Sequence, residues 1–128
     1  MIVLDTHALL WWALDPDKLS AGATETVATM EREGGFASSI SIWELGVKVK
    51  NRKLGLPLPI DELSRRIERG GVELLPVDSN TWLRSLSLSW DHADPADRVI
   101  VATALIKGLP LLTGDQAIHA FSDVTCIW

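Results

Sequence analysis

The chain has 128 residues, of which 47% are hydrophobic and 23% charged, with a formal net charge of −5. This length predicts one domain, residues 1–128. The apolar content excludes a disordered chain. Cys126 is the only cysteine, which excludes an internal disulfide scaffold and favours a reducing compartment such as the cytoplasm. The apolar run near the N-terminus is far shorter than the ~20 residues of a membrane span, and no basic segment precedes it, so we expect no membrane contact and no secretion signal.

Strand and helix signals alternate along the chain. In the first half, they predict a strand over Met1–Asp5, helices over His7–Leu14 and Ala21–Glu33, a strand over Phe36–Ser38, and a helix over Ile40–Lys50. In the second half, they predict a helix over Asp61–Arg69, a peripheral strand over Val72–Val77, a helix over Asn80–Leu88, a strand over Leu109–Thr113, a short helix within Gly114–Phe121 and a strand over Val124–Trp128.

The most distinct element is a helix that begins at Pro95. Asp94 is its predicted N-cap, and Gly108 is its predicted stop after Lys107. Its interior is apolar all round, which indicates a buried helix. With the alternation of strands and helices, this pattern predicts an α/β fold in which a mainly parallel central sheet lies between layers of helices.

Four acidic residues fall where ligands bind in such a fold, beyond the carboxyl ends of the strands. Asp5 ends the first strand, and Asp115 follows the strand over Leu109–Thr113. Glu44 and Asp97 lie in the first turns of helices. Independent helix caps have no reason to collect at one edge of a sheet, so this shared placement indicates a site.

Each of these acids also has a local explanation. Asp5 is a potential helix cap, Asp97 suits the positive end of a helix dipole, and Asp115 suits a turn. Glu44 completes a capping box with Ser41 and stands four residues before Lys48, a spacing typical of a helical ion pair.

Four converging carboxylates require a cation, because they otherwise repel one another and take up protons. No cysteine pair or closely spaced histidine pair accompanies them, which argues against zinc. An all-carboxylate site suits Mg²⁺ or Mn²⁺, which can activate water for phosphodiester hydrolysis. Basic clusters at Lys48–Lys53 and Arg65–Arg69 suit a nucleic-acid backbone, or else form solvated helix ends.

Three segments carry a family resemblance: MIVLDTHALLWWAL at 1–14, SSISIWELGVKVKNRKLGLPLP at 38–59, and HADPADRVIVATALIKGLPLLTGD at 92–115. In this order they resemble the PIN-domain ribonucleases, and within them the VapC toxins of type II toxin–antitoxin systems. The resemblance covers nearly the whole chain. It implies a PIN-like three-layer sandwich.

The resemblance also implies a function. The family's acidic metal site falls on Asp5, Glu44, Asp97 and Asp115, with Asp94 nearby in the same motif. The implied activity is Mg²⁺-dependent hydrolysis of RNA in the cytoplasm. The implied partners are the RNA substrate, a cognate antitoxin that obstructs the site, and a second copy in a homodimer.

Other side chains near these acids have predicted supporting roles. Thr6 and Thr113 are candidates to orient the carboxylates. His92 belongs to the resembling motif, and we interpret it as a hydrogen-bonding support rather than a base. The tryptophans suit the core or a partner surface, with stacking on RNA bases as the alternative.

Two other functions compete with the nuclease. A PIN-fold module that binds RNA or protein without cleavage is the main alternative, although all four family positions are acidic here. A phospho-acceptor receiver domain also gathers acids at strand ends. It requires an adjacent acidic pair after the first strand, and Asp5-Thr6-His7 lacks one, so this function is set aside.

Overall fold

The computed structural model describes residues 1–128. The strands are β1 (Val3–Leu4), β2 (Gly35–Ser38), β3 (Val72–Leu75), β4 (Leu111–Leu112) and β5 (Cys126–Ile127). The helices are α1 (Thr6–Leu14), α2 (Ala21–Glu33), α3 (Ile40–Lys50), α4 (Ile60–Arg69), α5 (Ser79–Ser87), α6 (Pro95–Lys107) and α7 (Gln116–His119). A 3₁₀ turn at Pro16–Lys18 separates α1 from α2.

The five strands form one sheet in the order β3-β2-β1-β4-β5, and every pairing is parallel. The predicted α/β fold is therefore confirmed, with a wholly rather than mainly parallel sheet. β3 lies at an edge, as predicted from Pro76, which cannot donate to a strand ladder.

Two hydrophobic clusters cover the two faces of the sheet. Leu4 and Leu112 point into one cluster, which α1, α2, α3 and α4 cover. Val3 and Leu111 point into the other, which α6 and α7 cover, and α5 packs on α6. Because neighbouring strand residues point to opposite faces, two-residue strands suffice to anchor both layers. The predicted three-layer arrangement is confirmed.

Four of the five strands are shorter than predicted, and β2 is one residue longer, since it begins at Gly35. The run Met1–Asp5 pairs as a strand only at Val3–Leu4, and Leu109–Thr113 only at Leu111–Leu112. The chain turns into α1 directly after Asp5, which ends the ladder. Hydrogen bonds nevertheless continue past the strand: the Asp5 N–H donates to the Leu112 carbonyl over 3.1 Å. Asp5 is thus fixed beside the end of β4.

Helix boundaries follow their caps. α2, α3 and α6 have the predicted bounds. The Ser20 hydroxyl accepts from the Ala23 N–H over 3.0 Å, and an Asp94 carboxylate oxygen accepts from the Ala96 N–H over 2.9 Å. Six consecutive residues of α6, from Val99 to Ala104, are buried, as its apolar sequence predicts.

The strand order reverses direction at β1. From β1 the chain proceeds to β2 on one side, and it later returns to place β4 on the other side. In open α/β sheets the crevice at such a reversal, beyond the carboxyl ends of the strands, is the usual ligand site. Here it lies between Asp5, directly after β1, and the loop that follows β4.

Gly108 ends α6 in a left-handed backbone conformation that favours glycine, and a substitution there measures how much this conformation matters. Gly108 has φ +65°, and an added Cβ would meet no atom within 4 Å. We therefore expect Gly108→Ala to lower the free energy of unfolding by about 1 kcal/mol through left-handed backbone strain alone. Urea denaturation measures this change. Gly55→Ala is the matched control, because Gly55 is equally open but has no positive φ; equal losses in both variants would contradict the explanation.

Candidate active site

Asp5 is the most deeply buried of the four acids, at 4% exposure. One carboxylate oxygen caps α1 by accepting from the Ala8 N–H over 2.8 Å, and the other accepts a hydrogen bond from the Thr113 hydroxyl. Burial raises the pKa of Asp5 above its ordinary value, and these two hydrogen bonds oppose that rise. Asp5 does serve as a helix cap. An exposed carboxylate could cap the helix without the cost of burying a charge, so capping alone does not explain the burial of Asp5.

Asp97 lies in the first turn of α6 with its side chain 18% exposed. The His92 ring Nε2 and an Asp97 carboxylate oxygen are 2.7 Å apart. Burial raises the pKa of Asp97 to about 6, the hydrogen bond with His92 opposes the rise, and the charges of Asp94 and Asp115 add to it. His92 is therefore a support for Asp97, in agreement with the sequence interpretation.

Asp115 connects the first two acids electrostatically. Its charge raises the pKa of both Asp5 and Asp97, after the larger effect of burial on each. It also caps α7, since its carboxylate accepts from the Ala117 N–H over 2.9 Å. The structure thus brings three of the four predicted residues into one electrostatic group.

Glu44 is placed differently. It is half-buried on α3 and makes no hydrogen bond or ion pair, so the predicted pair with Lys48 does not form. The capping box is also wrong: α3 begins at Ile40, so Ser41 lies inside the helix, where its hydroxyl is 2.8 Å from that of Thr6. Glu44 is one turn beyond Ser41 on the same helix face and is left without a local partner.

The two threonines have different roles. Thr113 donates to Asp5, as predicted, and its backbone carbonyl lies 2.6 Å from the His119 ring Nε2. The Thr6 hydroxyl is instead hydrogen-bonded to the Ser41 hydroxyl, so the prediction that it orients a carboxylate is wrong. It binds the start of α3 to the residue that follows Asp5.

A cavity of about 460 Å³ opens beside the acids. Two of the acids, Asp5 and Asp115, line it. The remaining lining residues are His7, Trp11, Lys18, Gly114 and Trp128.

Arg98 was not singled out by sequence reasoning, yet it organises the segment that carries His92. Its guanidinium donates to four backbone carbonyls, those of Ser85, Leu88, Trp90 and His92. The Trp90 ring stacks between His92 and Phe121, with centroid separations of 4.5 and 5.0 Å. These contacts fix the loop from which His92 reaches Asp97.

The donor chemistry of the site fits a hard divalent cation, because its ligands would be carboxylate oxygens. Burial is the main cause of the raised pKa values of Asp5 and Asp97, so the charged form of both carboxylates is disfavoured in the absence of a cation. However, no three histidine, cysteine or acidic side chains converge closely enough to surround one ion. Mg²⁺ is commonly held by one or two carboxylates and several waters, so this open arrangement fits that ion.

The PIN-domain family model matches residues 2–124. The chain belongs to the PIN-domain family. Among curated relatives, this PIN domain is 28% identical over 133 residues to Ribonuclease VapC22 of Mycobacterium tuberculosis (strain ATCC 25618 / H37Rv), covering 99% of this chain and 98% of the relative. The predicted resemblance to PIN-domain ribonucleases, and to the VapC proteins among them, is confirmed.

Solved structures share the PIN fold. VapBC2 from Rickettsia felis, bound to a DNA fragment of its promoter, superposes with a TM-score of 0.69 at 12% identity, covering 98% of this chain and 97% of that one. FitAcB from Neisseria gonorrhoeae gives 0.67 at 23% identity, with 98% and 96% coverage. A toxin–antitoxin complex from Klebsiella pneumoniae gives 0.59 at 19% identity, with 91% and 88% coverage.

None of the seven helices of this PIN domain has the length and apolar character needed to cross a membrane.

The pKa of Asp97 predicts how the stability of the metal-free protein depends on pH. Its folded value of about 6 is above its ordinary value of 3.8, so the folded state binds this proton more tightly than the unfolded chain. The resulting stabilisation is present below about pH 4 and is lost as the pH rises through 6. At pH 7.5 Asp97 is charged, and the burial of this charge lowers the free energy of unfolding. Asparagine is neutral at every pH, so we expect Asp97→Asn to raise the free energy of unfolding of the chelator-treated protein at pH 7.5 by roughly 1–3 kcal/mol.

Urea denaturation at pH 5 and pH 7.5 in the presence of a chelator measures this difference. Asp17→Asn, at an exposed site in the 3₁₀ turn, is the control and should leave stability unchanged. An Asp97→Asn protein no more stable than the parent at pH 7.5 would show that the burial of this charge costs little.

Arg98→Lys should loosen the loop over 88–92. A lysine ammonium cannot reach four carbonyls in the fixed geometry of a guanidinium, so several acceptors lose a charged donor. We expect a loss of about 2 kcal/mol in the free energy of unfolding and faster amide hydrogen exchange within 88–92. Arg84→Lys, at an exposed position of α5, is the control; exchange rates that are identical in the two variants would refute the role of Arg98.

Proposed function

We propose that this PIN domain is a Mg²⁺-dependent endoribonuclease and the toxin of a type II toxin–antitoxin system. The observation that carries the proposal is an acidic group in which the buried Asp5, at the strand-order reversal of the sheet, and the partly buried Asp97 both have raised pKa values and both feel the charge of Asp115. Their negative charge calls for a cation, and their oxygen ligands suit Mg²⁺, with Mn²⁺ as a substitute. RNA as substrate places the proposed activity in the cytoplasm.

The proposed metal ligands and catalytic residues are Asp5, Glu44, Asp97 and Asp115. When bound, Mg²⁺ supplies an activated water and neutralises charge on the phosphodiester. The chain contributes orientation: Thr113 and the Ala8 N–H fix the Asp5 carboxylate, and His92 fixes that of Asp97. The Glu44 side chain has no hydrogen-bond or ion-pair partner in the chain, which leaves it available as a ligand. Asp94 is occupied as the cap of α6.

The toxin assignment is supported by the relatives. Ribonuclease VapC22 is similar over almost the full length of both chains, and the solved neighbours include a VapBC assembly and a toxin–antitoxin complex. We propose that a cognate antitoxin covers this chain and blocks the acidic site with a basic side chain, which the excess of carboxylates there would attract.

A homodimer is supported by an apolar surface on α3 and α5. Four large side chains are well exposed there, with exposed fractions of 64% for Trp43, 45% for Trp82, 66% for Leu83 and 77% for Leu86. A mostly apolar cavity of about 330 Å³ adjoins this surface. Exposed clusters of this kind mark protein interfaces more often than free surface.

A PIN-fold module that binds RNA without cleavage is the second candidate. It is favoured by one observation: no three acidic, histidine or cysteine side chains converge on one point, so an ion bound there would have few ligands from the protein. The two candidates differ in whether divalent cations bind the folded chain and in whether RNA is cut.

Single-turnover cleavage of total RNA by the antitoxin-free protein, with and without Mg²⁺, tests the proposal. We expect Mg²⁺-dependent cleavage that falls by at least about 100-fold in Asp5→Asn and in Asp97→Asn, because each removes a charge that holds the cation. Asp61→Asn is the matched control, since Asp61 lies on the surface of α4 and only pairs with Arg65. Undiminished rates in both site variants would overturn the assignment.

Thermal unfolding separates the enzyme from the binding module. A cation that binds only the folded chain raises its melting temperature. We expect Mg²⁺ to do so for the parent and less for Asp5→Asn and Asp97→Asn. Melting that is independent of Mg²⁺, together with absence of cleavage, would favour the non-catalytic module.

A further inference from the structure

The cavity beside Asp5 contains more than acids. Its lining includes two indoles, Trp11 and Trp128, and two basic side chains, His7 and Lys18. A site that held only a small hydrated cation would require neither group. Its volume of about 460 Å³ lies within the ~300–1,000 Å³ range of small-ligand pockets.

The two indoles form a continuous aromatic wall. The ring centroids of Trp11 and Trp128 are 5.8 Å apart, and that of His7 is 5.6 Å from Trp11. Both tryptophans are only half-buried, so part of each ring faces the cavity. Aromatic faces of this kind stack on nucleobases irrespective of sequence.

Trp128 packs closely against the acidic loop. A Cβ added to Gly114 would lie 2.9 Å from the Trp128 ring, so the indole rests directly on that backbone. A Cβ on Gly22 would lie 2.7 Å from the Trp128 carbonyl oxygen, so the backbone of Trp128 is also closely packed. Gly114 stands between Thr113, which donates a hydrogen bond to Asp5, and Asp115. Packing therefore places the Trp128 indole next to the loop that carries the acids.

Lys18 supplies the charge that a nucleotide phosphate requires. Its side chain is 60% exposed at the cavity and lies 3.5 Å from Asp15, a surface ion pair that is easily exchanged for another anion. An aromatic wall, an exposed lysine and two acids, Asp5 and Asp115, thus border one space.

We propose that this cavity is a nucleotide subsite, in which the base of a nucleotide next to the cleaved bond stacks on Trp11 and Trp128 while Lys18 binds its phosphate. The inference rests on the proposed function for its substrate class, single-stranded RNA. It adds to that function a way to position the strand relative to Asp5 and Asp115 without reading a base sequence.

Binding is measured by fluorescence anisotropy in an Asp97→Asn background, so that cleavage does not intervene. The probes are a labelled ten-nucleotide RNA of random sequence and a labelled ten-residue abasic oligomer that keeps the phosphates but has no bases. We expect Trp11→Leu to weaken RNA binding roughly ten-fold and to leave the abasic oligomer unaffected, because stacking needs a base. Trp11→Phe retains a ring and should retain most of the affinity.

Lys18→Met should weaken both probes and lower the slope of log affinity against log salt by about 0.7, the value for one phosphate contact on a single strand. Trp12→Leu and Lys107→Met are the matched controls. Trp12 is adjacent in the chain but packs on Gly70, and Lys107 lies over the Phe36 ring at the far end of α6. Melting curves identify any variant that fails to fold.

The proposal is overturned if Trp11→Leu affects RNA and the abasic oligomer equally, if Lys18→Met leaves the salt slope unchanged, or if the parent background binds no RNA. Because the assay does not require cleavage, its result is separable from that of the nuclease test. A chain that cuts RNA but binds it independently of Trp11 and Lys18 keeps the proposed function and loses the subsite.

Discussion

The hydrogen bond from Thr113 to Asp5 is the contact on which the site depends. It joins the carboxyl ends of β1 and β4, the two strands between which the order of the sheet reverses. The Asp5 carboxylate placed there is buried and loses most of its contact with water, so its pKa rises. The fold thereby places a carboxylate whose charge is unfavourable at the edge of the sheet where ligands bind in α/β folds. This cost is the reason for proposing a cation there.

Asp97 is held in place by contacts that are independent of those of Asp5. Asp97 is on the opposite helical layer from α1, and its orientation comes through His92 from a loop that Arg98 organises with its own backbone hydrogen bonds. Asp5 is thus positioned by the sheet and Asp97 by a loop fastened to a buried helix. Asp115 lies between them in electrostatic terms, because it acts on both. A site assembled from separate supports tolerates variation in one support without loss of the others.

Much of this could be predicted from the sequence, because local signals coincide with the structure. Ser20, Asp94 and Gly108 mark helix ends through backbone chemistry that acts within a few residues, and the helices they bound were predicted correctly. The contacts of Arg98 could not be predicted. Its acceptors are backbone carbonyls of the end of α5 and of the loop that follows, and no local sequence pattern encodes the path of that loop. The predicted capping box at Ser41 is wrong for a similar reason: the Ser41 hydroxyl is hydrogen-bonded to that of Thr6, which is distant in the sequence.

The separation of the two residues in the Asp5–Thr113 bond has a consequence for synthesis of the protein. They are 108 positions apart, and β1, the first strand made, is completed only when β4 takes its place beside it. Loop closure over such a length comes late, after the local helices have formed. In a chain still being synthesised, Asp5 is therefore present long before Thr113, its hydrogen-bond partner in the site. The proposed nuclease site therefore requires nearly the whole chain, because Thr113 and Asp115 are made more than 100 residues after Asp5.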